Sequence, residues 1–210
     1  MPQEQEQRPV QGQGQGTRAR QREQTRQALL REGRRLFAEV GYGAVSLAEI
    51  VAAAGVTKGA LYHHFDSKTA LFRAVLRDVQ EEVGVRVAEV ADARDDSWDQ
   101  LVAGCQEFIT ATTAPDIQRI MLVDGPAVLG WNEWRTMDEA SSARHLTEAL
   151  AALVDEGVIA AQPVAPLAHL LSGAMNEAAL WLATSADPAD LADTRAALGR
   201  LLDGLRVLSG

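Results

Sequence analysis

The 210-residue sequence predicts an all-α fold in two parts, a small N-terminal helical bundle and a larger C-terminal one. Three observations carry that prediction. Apolar residues recur at helical spacing along most of the chain, helix-capping residues punctuate it at short intervals, and no alternating run reads as a strand. Charge separates the two parts. Residues 1–77 carry 12 Lys+Arg against 7 Asp+Glu, a balance of +5, whereas residues 78–210 carry 8 against 22, or −14. The net charge of −9 therefore hides a basic module joined to an acidic one, and the basic module is the one suited to a polyanion.

Composition excludes several classes. An apolar fraction of 47% is ample for a packed core, and no run of 18 apolar residues proposes a membrane span. The N-terminus is polar and Gln-rich, unlike a secretory leader. Cys105 is the single cysteine, so an intrachain disulfide or a CxxC metal site is impossible, and a reducing cytoplasm is the expected compartment.

Along the chain, residues 1–22 ("QEQEQRPVQGQGQGTRARQR" and neighbours) are Gln/Gly-rich and nearly devoid of apolar groups, so they are expected to form a disordered arm. Arg18, Arg20 and Arg22 make its end basic, and such an arm beside a DNA-binding module can enter a minor groove. From Thr25, the series Leu29, Gly33, Leu36, Phe37 and Val40 marks a helix that Gly41 stops. Ser46 and Glu49 form a capping-box pair ahead of "LAEIVAAA", which ends at Gly55. Thr57 caps the next helix, "TKGALYHHF". Its Leu61 and Phe65 share a face, while Lys58, Tyr62 and His63 fall mostly on the other, beside Gly59. Two short helices about a tight Gly-containing turn make a helix-turn-helix, whose second helix reads a major groove. Residues 23–67 are thus expected to be the DNA-binding domain, and Ser67 opens a long helix to about Ala91.

Residues 68–210 are expected to form the second domain. "SWDQLVAGCQEFITATT" is amphipathic and ends near Pro115, and "DIQRIMLV" stops at Asp124-Gly125-Pro126. A helix from about Asn132 continues to Glu156, with Gly157 as its terminal signal, and Pro166 and Pro188 open the last two helices. Phe108, Met121, Trp131, Trp134, Met175 and Trp181 are large apolar groups that fill a core or line a cavity between helices. Gln106, His145 and Asn176 are the polar groups placed to orient a ligand there. The segments 166–184 and 188–208 carry small residues (Ala168, Ser172, Gly173, Ala174, Ala178, Ala179) and a leucine series (Leu191, Leu198, Leu201, Leu202, Leu205). They form either a buried hairpin or a four-helix dimer interface, and we expect the interface.

The run "TRQALLREGRRLFAEVGYGAVSLAEIVAAAGVTKGALYHHFDSKTALFRAVL" resembles the N-terminal domain of the tetracycline-repressor (TetR) family of bacterial regulators, through LFAE-x-GY, AEIV-x-AAGV and KGALYHHF-x-SK-x-ALF. The stretch "RIMLVDGPAVLGWNEWRTMDE" is similar to the C-terminal region of a subset of that family. The resemblance implies a homodimer whose first three helices bind DNA and whose C-terminal domain binds a ligand and dimerises. By position it assigns DNA contacts to Ser46, Thr57, Lys58, Gly59, Tyr62, His63 and Lys68. Their chemistry fits. Ser46 and Lys68 stand at helix N-termini, Lys58 can reach guanine or phosphate, Gly59 admits a close backbone approach, and Tyr62 can donate to phosphate. One departure is Ala48, which stands where some relatives carry a long polar side chain that reads a base.

Other chemistries lack their signatures. His63 and His64 are about 100° apart on a helix and do not share a metal easily, His145 and His169 stand alone, and there is no HExxH. No strand–GxSxG–helix context or Gly-rich phosphate loop is present, so no catalytic residues, cofactors or metal are assigned. The expectation is a homodimeric, ligand-responsive transcriptional regulator in a bacterial cytoplasm, acting as a repressor on a palindromic operator and answering a small-molecule effector. The alternative is a ligand-independent DNA-binding protein whose C-terminal domain is structural or pairs with another protein.

Overall fold

The computed structural model describes residues 13–207, with side chains placed from Thr17 onward. The N-terminal part holds α1 (Gln13–Val40), α2 (Leu47–Ala53) and α3 (Lys58–Tyr62), and α4 (Lys68–Asp92) runs from it into the second part. There follow α5 (Ser97–Thr112), α6 (Pro115–Gln118), a π-helical turn (Arg119–Asp124), α7 (Gly125–Leu129), α8 (Trp131–Glu139), α9 (Ser142–Asp155), α10 (Val164–Leu182) and α11 (Asp190–Asp203). Among the described residues no strand forms; one isolated antiparallel bridge joins Ile159 to Arg206. No helix among them is long and apolar enough to cross a membrane.

Local signals set most boundaries. The Ser46 hydroxyl accepts from the Glu49 N–H at 3.2 Å while the Glu49 carboxylate accepts from the Ser46 N–H at 2.7 Å, closing the capping box of α2. Thr57 and Ser67 cap α3 and α4 by accepting from Ala60 and Ala70. Asp96 does the same for α5. α4 is the spine of the molecule. Leu71, Phe72, Val75, Leu76 and Val79 are fully buried along it, each worth ~1.5–3 kcal/mol of burial. Phe37, Tyr42 and Phe72 stack at 5.1–5.8 Å between centroids and fix the end of α1 on the start of α4.

Three expectations are corrected. The arm expected to be disordered over 1–22 is helical from Gln13, and residues 1–12 lie outside the described residues. Burial does not explain this, because residues 17–24 are exposed. Propagation does. Leu29 and Leu30 anchor α1, and a nucleated helix extends cheaply through Gln, Arg, Glu and Ala. Second, the piece expected to stop at Asp124 winds on through the π-helical turn into α7. Pro126 has no N–H for the carbonyl one turn back, and the wider turn accommodates it. Gly125 is needed there, since a Cβ would lie 2.8 Å from the Trp134 indole. Third, the single helix expected over 132–156 breaks at Ala140–Ser141. The break lets the Ser142 backbone approach Gly84 of α4, where a Cβ would stand 3.6 Å from the Ser142 nitrogen. It also brings Ser142 Oγ to 3.4 Å from Asp138 Oδ1.

Candidate functional site

At the basic end, Leu61 and Phe65 bury the inner face of α3, as their spacing predicts. Thr57, Lys58, Gly59, Tyr62 and His63 are all exposed on its outer side, and Ser46 is exposed at the head of α2. The Lys58 ammonium lies 5.9 Å from the Tyr62 ring centroid, so the two side chains form one ridge. Lys68, at the first turn of α4, lies 4.2 Å from the Tyr42 centroid, and the Tyr42 hydroxyl is 2.9 Å from Thr69 Oγ1. Tyr42 thus seats Lys68 beside the cap of α4. The small side chain of Ala48 is exposed on α2, leaving no long donor there. Arg18, Arg20 and Arg22 stand exposed on the N-terminal third of α1, a helix that passes beside α3.

At the acidic end, a cavity of about 350 Å³ opens between α4, α5, α9 and α10. Its walls are mostly apolar and include Val87, Leu101, Phe108, Leu146 and Met175. His145, Ser142 and Ser172 supply polar groups. Behind the serines sits a buried ion pair. Arg135 Nη1 donates to Asp138 Oδ2 at 3.0 Å and to Ser172 Oγ at 2.9 Å. Burial pushes the Asp138 carboxyl above the ordinary carboxylate range, against the pull of Arg135. Cys105 also lines the cavity, and burial pushes its thiol up to about 12, so it is a packing group and not a thiolate nucleophile.

The structure divides the nine sequence-predicted pocket residues. Phe108, His145 and Met175 line the main cavity. Trp131, Trp134 and Asn176 line a second hollow of about 230 Å³ between α8 and α10, with Trp131 63% exposed. Gln106, Met121 and Trp181 line neither. Gln106 Oε1 accepts from Arg195 at 3.1 Å on another face of α5, and Trp181 is half-exposed on the outside of α10. Ser142, Ser172 and the Arg135–Asp138 pair escape sequence reading, because α8, α9 and α10 bring them together only when packed.

Met121 belongs to the joint between the two parts. Its carbonyl accepts from the Trp134 indole N–H at 2.7 Å inside the π-helical turn. At the ends of that turn Asp124 Oδ2 accepts from the Tyr42 N–H at 2.8 Å, and Arg119 donates to the Glu39 carbonyl at 3.4 Å. Gly41, at φ +86°, lies directly under the Arg119 guanidinium, a conformation that a side chain would strain. Arg34 of α1 pairs with Glu82 of α4 and, at 2.9 Å, with Asp116 of α6.

A helix-turn-helix with an exposed cationic ridge, joined by one helix to an acidic domain holding a cavity, defines a DNA-binding regulatory protein. Residues 29–75 match the family described as bacterial regulatory proteins, tetR family, and residues 98–205 match the tetracyclin repressor-like C-terminal domain. The chain belongs to the TetR family of transcriptional regulators, DNA-binding proteins that are not enzymes. It is 36% identical to a TetR-family transcriptional regulator from Pectobacterium atrosepticum, over 90% of this chain and 97% of that one, with a TM-score of 0.73. It is 32% identical over 111 residues to an HTH-type transcriptional repressor of Mycobacterium tuberculosis; that match spans 51% of this chain and just over half, 57%, of the repressor. RolR in complex with its ligand resorcinol shares the fold, at 21% identity and a TM-score of 0.68 over 87% of this chain and 89% of that one.

Proposed function

We propose that this protein is a homodimeric repressor that binds a palindromic operator and leaves it when a small molecule enters the 350 Å³ cavity. The observation that carries this reading is the course of α4. Lys68 stands at its first turn beside the DNA-facing ridge, and Val87, Ala88, Ala91 and Asp92 at its last turns form cavity wall. Lys68 and Val87, the nearest of these wall residues, are ~28 Å apart along one continuous helix. The expected domain boundary between residues 67 and 68 falls at the head of this connecting helix. A ligand that tilts α4 changes the separation of the two recognition helices, which must match half-sites about one DNA turn apart, ~34 Å.

In this reading Lys58 reads a base or phosphate. Ser46, Thr57, Tyr62, His63 and Lys68 contact backbone phosphates, and Gly59 lets the main chain come close. Phe108 and Met175 form the apolar wall around the effector, while His145, Ser142 and Ser172 orient it. The dimer forms through α10 and α11. Leu170, Gly173, Ala174, Glu177 and Trp181 make up one outward face of α10, with Leu170 72% exposed, and Leu201 of α11 is 64% exposed. Inward, the same helices bury Leu171, Met175, Leu198 and Leu202. The resorcinol complex of RolR supports an effector of small size, within a cavity near the lower end of the usual ligand-pocket range.

The test begins with selection of a binding sequence from a random duplex pool. Operator affinity is then measured with and without fractions of a metabolite extract, alongside native mass spectrometry for a co-purified molecule. Release by one fraction is the expected result, and by reciprocity operator DNA weakens binding of that molecule by the same factor, typically ~5–150-fold. No sequence preference over random duplex, or a confirmed ligand that binds free and operator-bound protein equally, overturns the reading.

A further inference from the structure

The N-terminal third of α1 and the recognition helix α3 enclose an open cleft of about 530 Å³. Arg18, Gln21, Arg22 and Thr25 line it from α1, at the i, i+3, i+4 and i+7 positions of one helix face; Ala60, His63 and His64 line it from α3 and its C-terminal turn. Among the described residues, every charged group in the lining is cationic or can become so, and none is a carboxylate. Arg20, two positions from both Arg18 and Arg22, lies on the opposite side of α1 and outside the cleft.

We propose that this cleft is a further DNA-backbone site, in which one phosphate is held between Arg18, Arg22 and the His63–His64 pair, and that it couples DNA binding to proton uptake. Three observations carry the proposal. The cleft adjoins the ridge of Lys58 and Tyr62, since His63 of its lining directly follows Tyr62 and both are exposed. Its charge is not neutralised from within: Arg26 pairs with Glu23 at 3.9 Å, on α1 beside the cleft, and neither residue lines it. The groups facing His64 are Arg22, Arg26 and Glu23 from α1 and His63 from its own turn, a net positive surrounding.

That surrounding and partial burial hold the His64 pKa below the ordinary histidine value, burial being the larger cause. A phosphate in the cleft supplies the missing anion and raises it again. Protons are then taken up on binding, and DNA affinity rises as pH falls through the histidine range. A phosphate contact in the cleft carries no base readout, so it strengthens binding to all sequences alike.

The proposal rests on the operator-binding reading, and the experiment separates the two. Affinity for a short mixed-sequence duplex is measured by fluorescence anisotropy across a salt series, at about pH 8 and about pH 6. Arg18→Ala/Arg22→Ala should lower the slope of log affinity against log salt by about 0.9 per protomer, one phosphate lost, while Arg20→Ala leaves it unchanged. Wild-type affinity should rise on acidification, by up to about tenfold per pH unit for each proton taken up, and His64→Gln should flatten that rise. Arg18, Arg20 and Arg22 are exposed and His64 half-exposed, so melting temperatures should stay level. Equal slopes in the double variant and Arg20→Ala, or an undiminished pH response in His64→Gln, overturn the cleft. Should Lys58→Ala and Tyr62→Phe also leave duplex binding untouched, the helix-turn-helix reading falls with it; if they weaken binding while the cleft variants do not, the cleft alone falls.

Discussion

The two ends of α4 serve surfaces built on opposite principles. At the N-terminal end the working side chains are exposed and their positions follow from caps and spacing within a few residues: Ser46 closes α2, Thr57 opens α3, and Leu61 turns Lys58 and Tyr62 outward. At the C-terminal end the groups lining the cavity are inside, and they meet only because four helices cross. Recognition of a long, uniform polyanion needs charges on a rigid convex edge, which local structure can supply. Enclosure of a small molecule needs a concave, dry site, which only tertiary packing supplies. The same helix reaches both because Lys68 stands half-exposed at its first turn and Val87, Ala88, Ala91 and Asp92 at its last turns are cavity wall.

The largest test of this contrast is Leu61→Ala. It empties a fully buried position under α3 and should cost ~2–5 kcal/mol in thermal or denaturant unfolding, and with it DNA binding. The counterpart at the other end is Ala149→Phe, which fills the cavity. It should abolish effector response while operator affinity stays within about threefold, ~0.6 kcal/mol, of wild type. Loss of both functions in Ala149→Phe would break the separation of the two surfaces. Next in size, Lys58→Ala should cost ~1–3 kcal/mol of operator binding and relax preference at one position per half-site if it reads a base. Tyr62→Phe should weaken binding evenly across sequences, and competition with mutated operators distinguishes the two patterns.

Acid should act on the two ends in opposite directions. The hydroxyl and N–H of Ser46 hold the Glu49 carboxyl below its ordinary value. That contribution is present above the unfolded carboxylate pKa and is lost as pH falls through the lowered one. Asp138 is raised, so the folded state binds its proton more tightly than the unfolded chain does. Its effect favours the fold at low pH and is lost as pH rises through the raised value. Protection factors of the α2 amides, corrected for the intrinsic pH dependence of exchange, should therefore fall on acidification towards pH ~4, while those of α8 and α9 rise or hold. Glu49→Gln and Asp138→Asn should remove the respective trends, and parallel behaviour at both ends would contradict the assignment. The smallest effect belongs to Cys105. Iodoacetamide should leave it unmodified in the folded protein near neutral pH and label it only on unfolding, with DNA binding indifferent to mild oxidant.

What the sequence by itself determined is the part of the molecule governed by short-range rules. The all-α class, the capping box at Ser46–Glu49, the caps at Thr57 and Ser67, and the inward Leu61 and Phe65 all follow from residues within a turn or two of each other. The outward exposure of Lys58, Tyr62 and His63 was legible for the same reason. Tertiary structure decided the rest. Trp131 and Trp134 do share a helix face and stack at 5.0 Å, yet only Trp134 is buried, and neither lines the main cavity. Spacing tells which side chains travel together, not which way their helix is turned. The Ser172–Arg135 bond and the joint made by Arg119, Asp124 and Tyr42 connect residues 37 to 82 positions apart, beyond the reach of any periodicity. The helical course of residues 13–22 is not legible in composition for a further reason. Composition weighs a segment by what it can bury alone, whereas a helix already anchored at Leu29 and Leu30 needs only that its extension tolerate the α conformation.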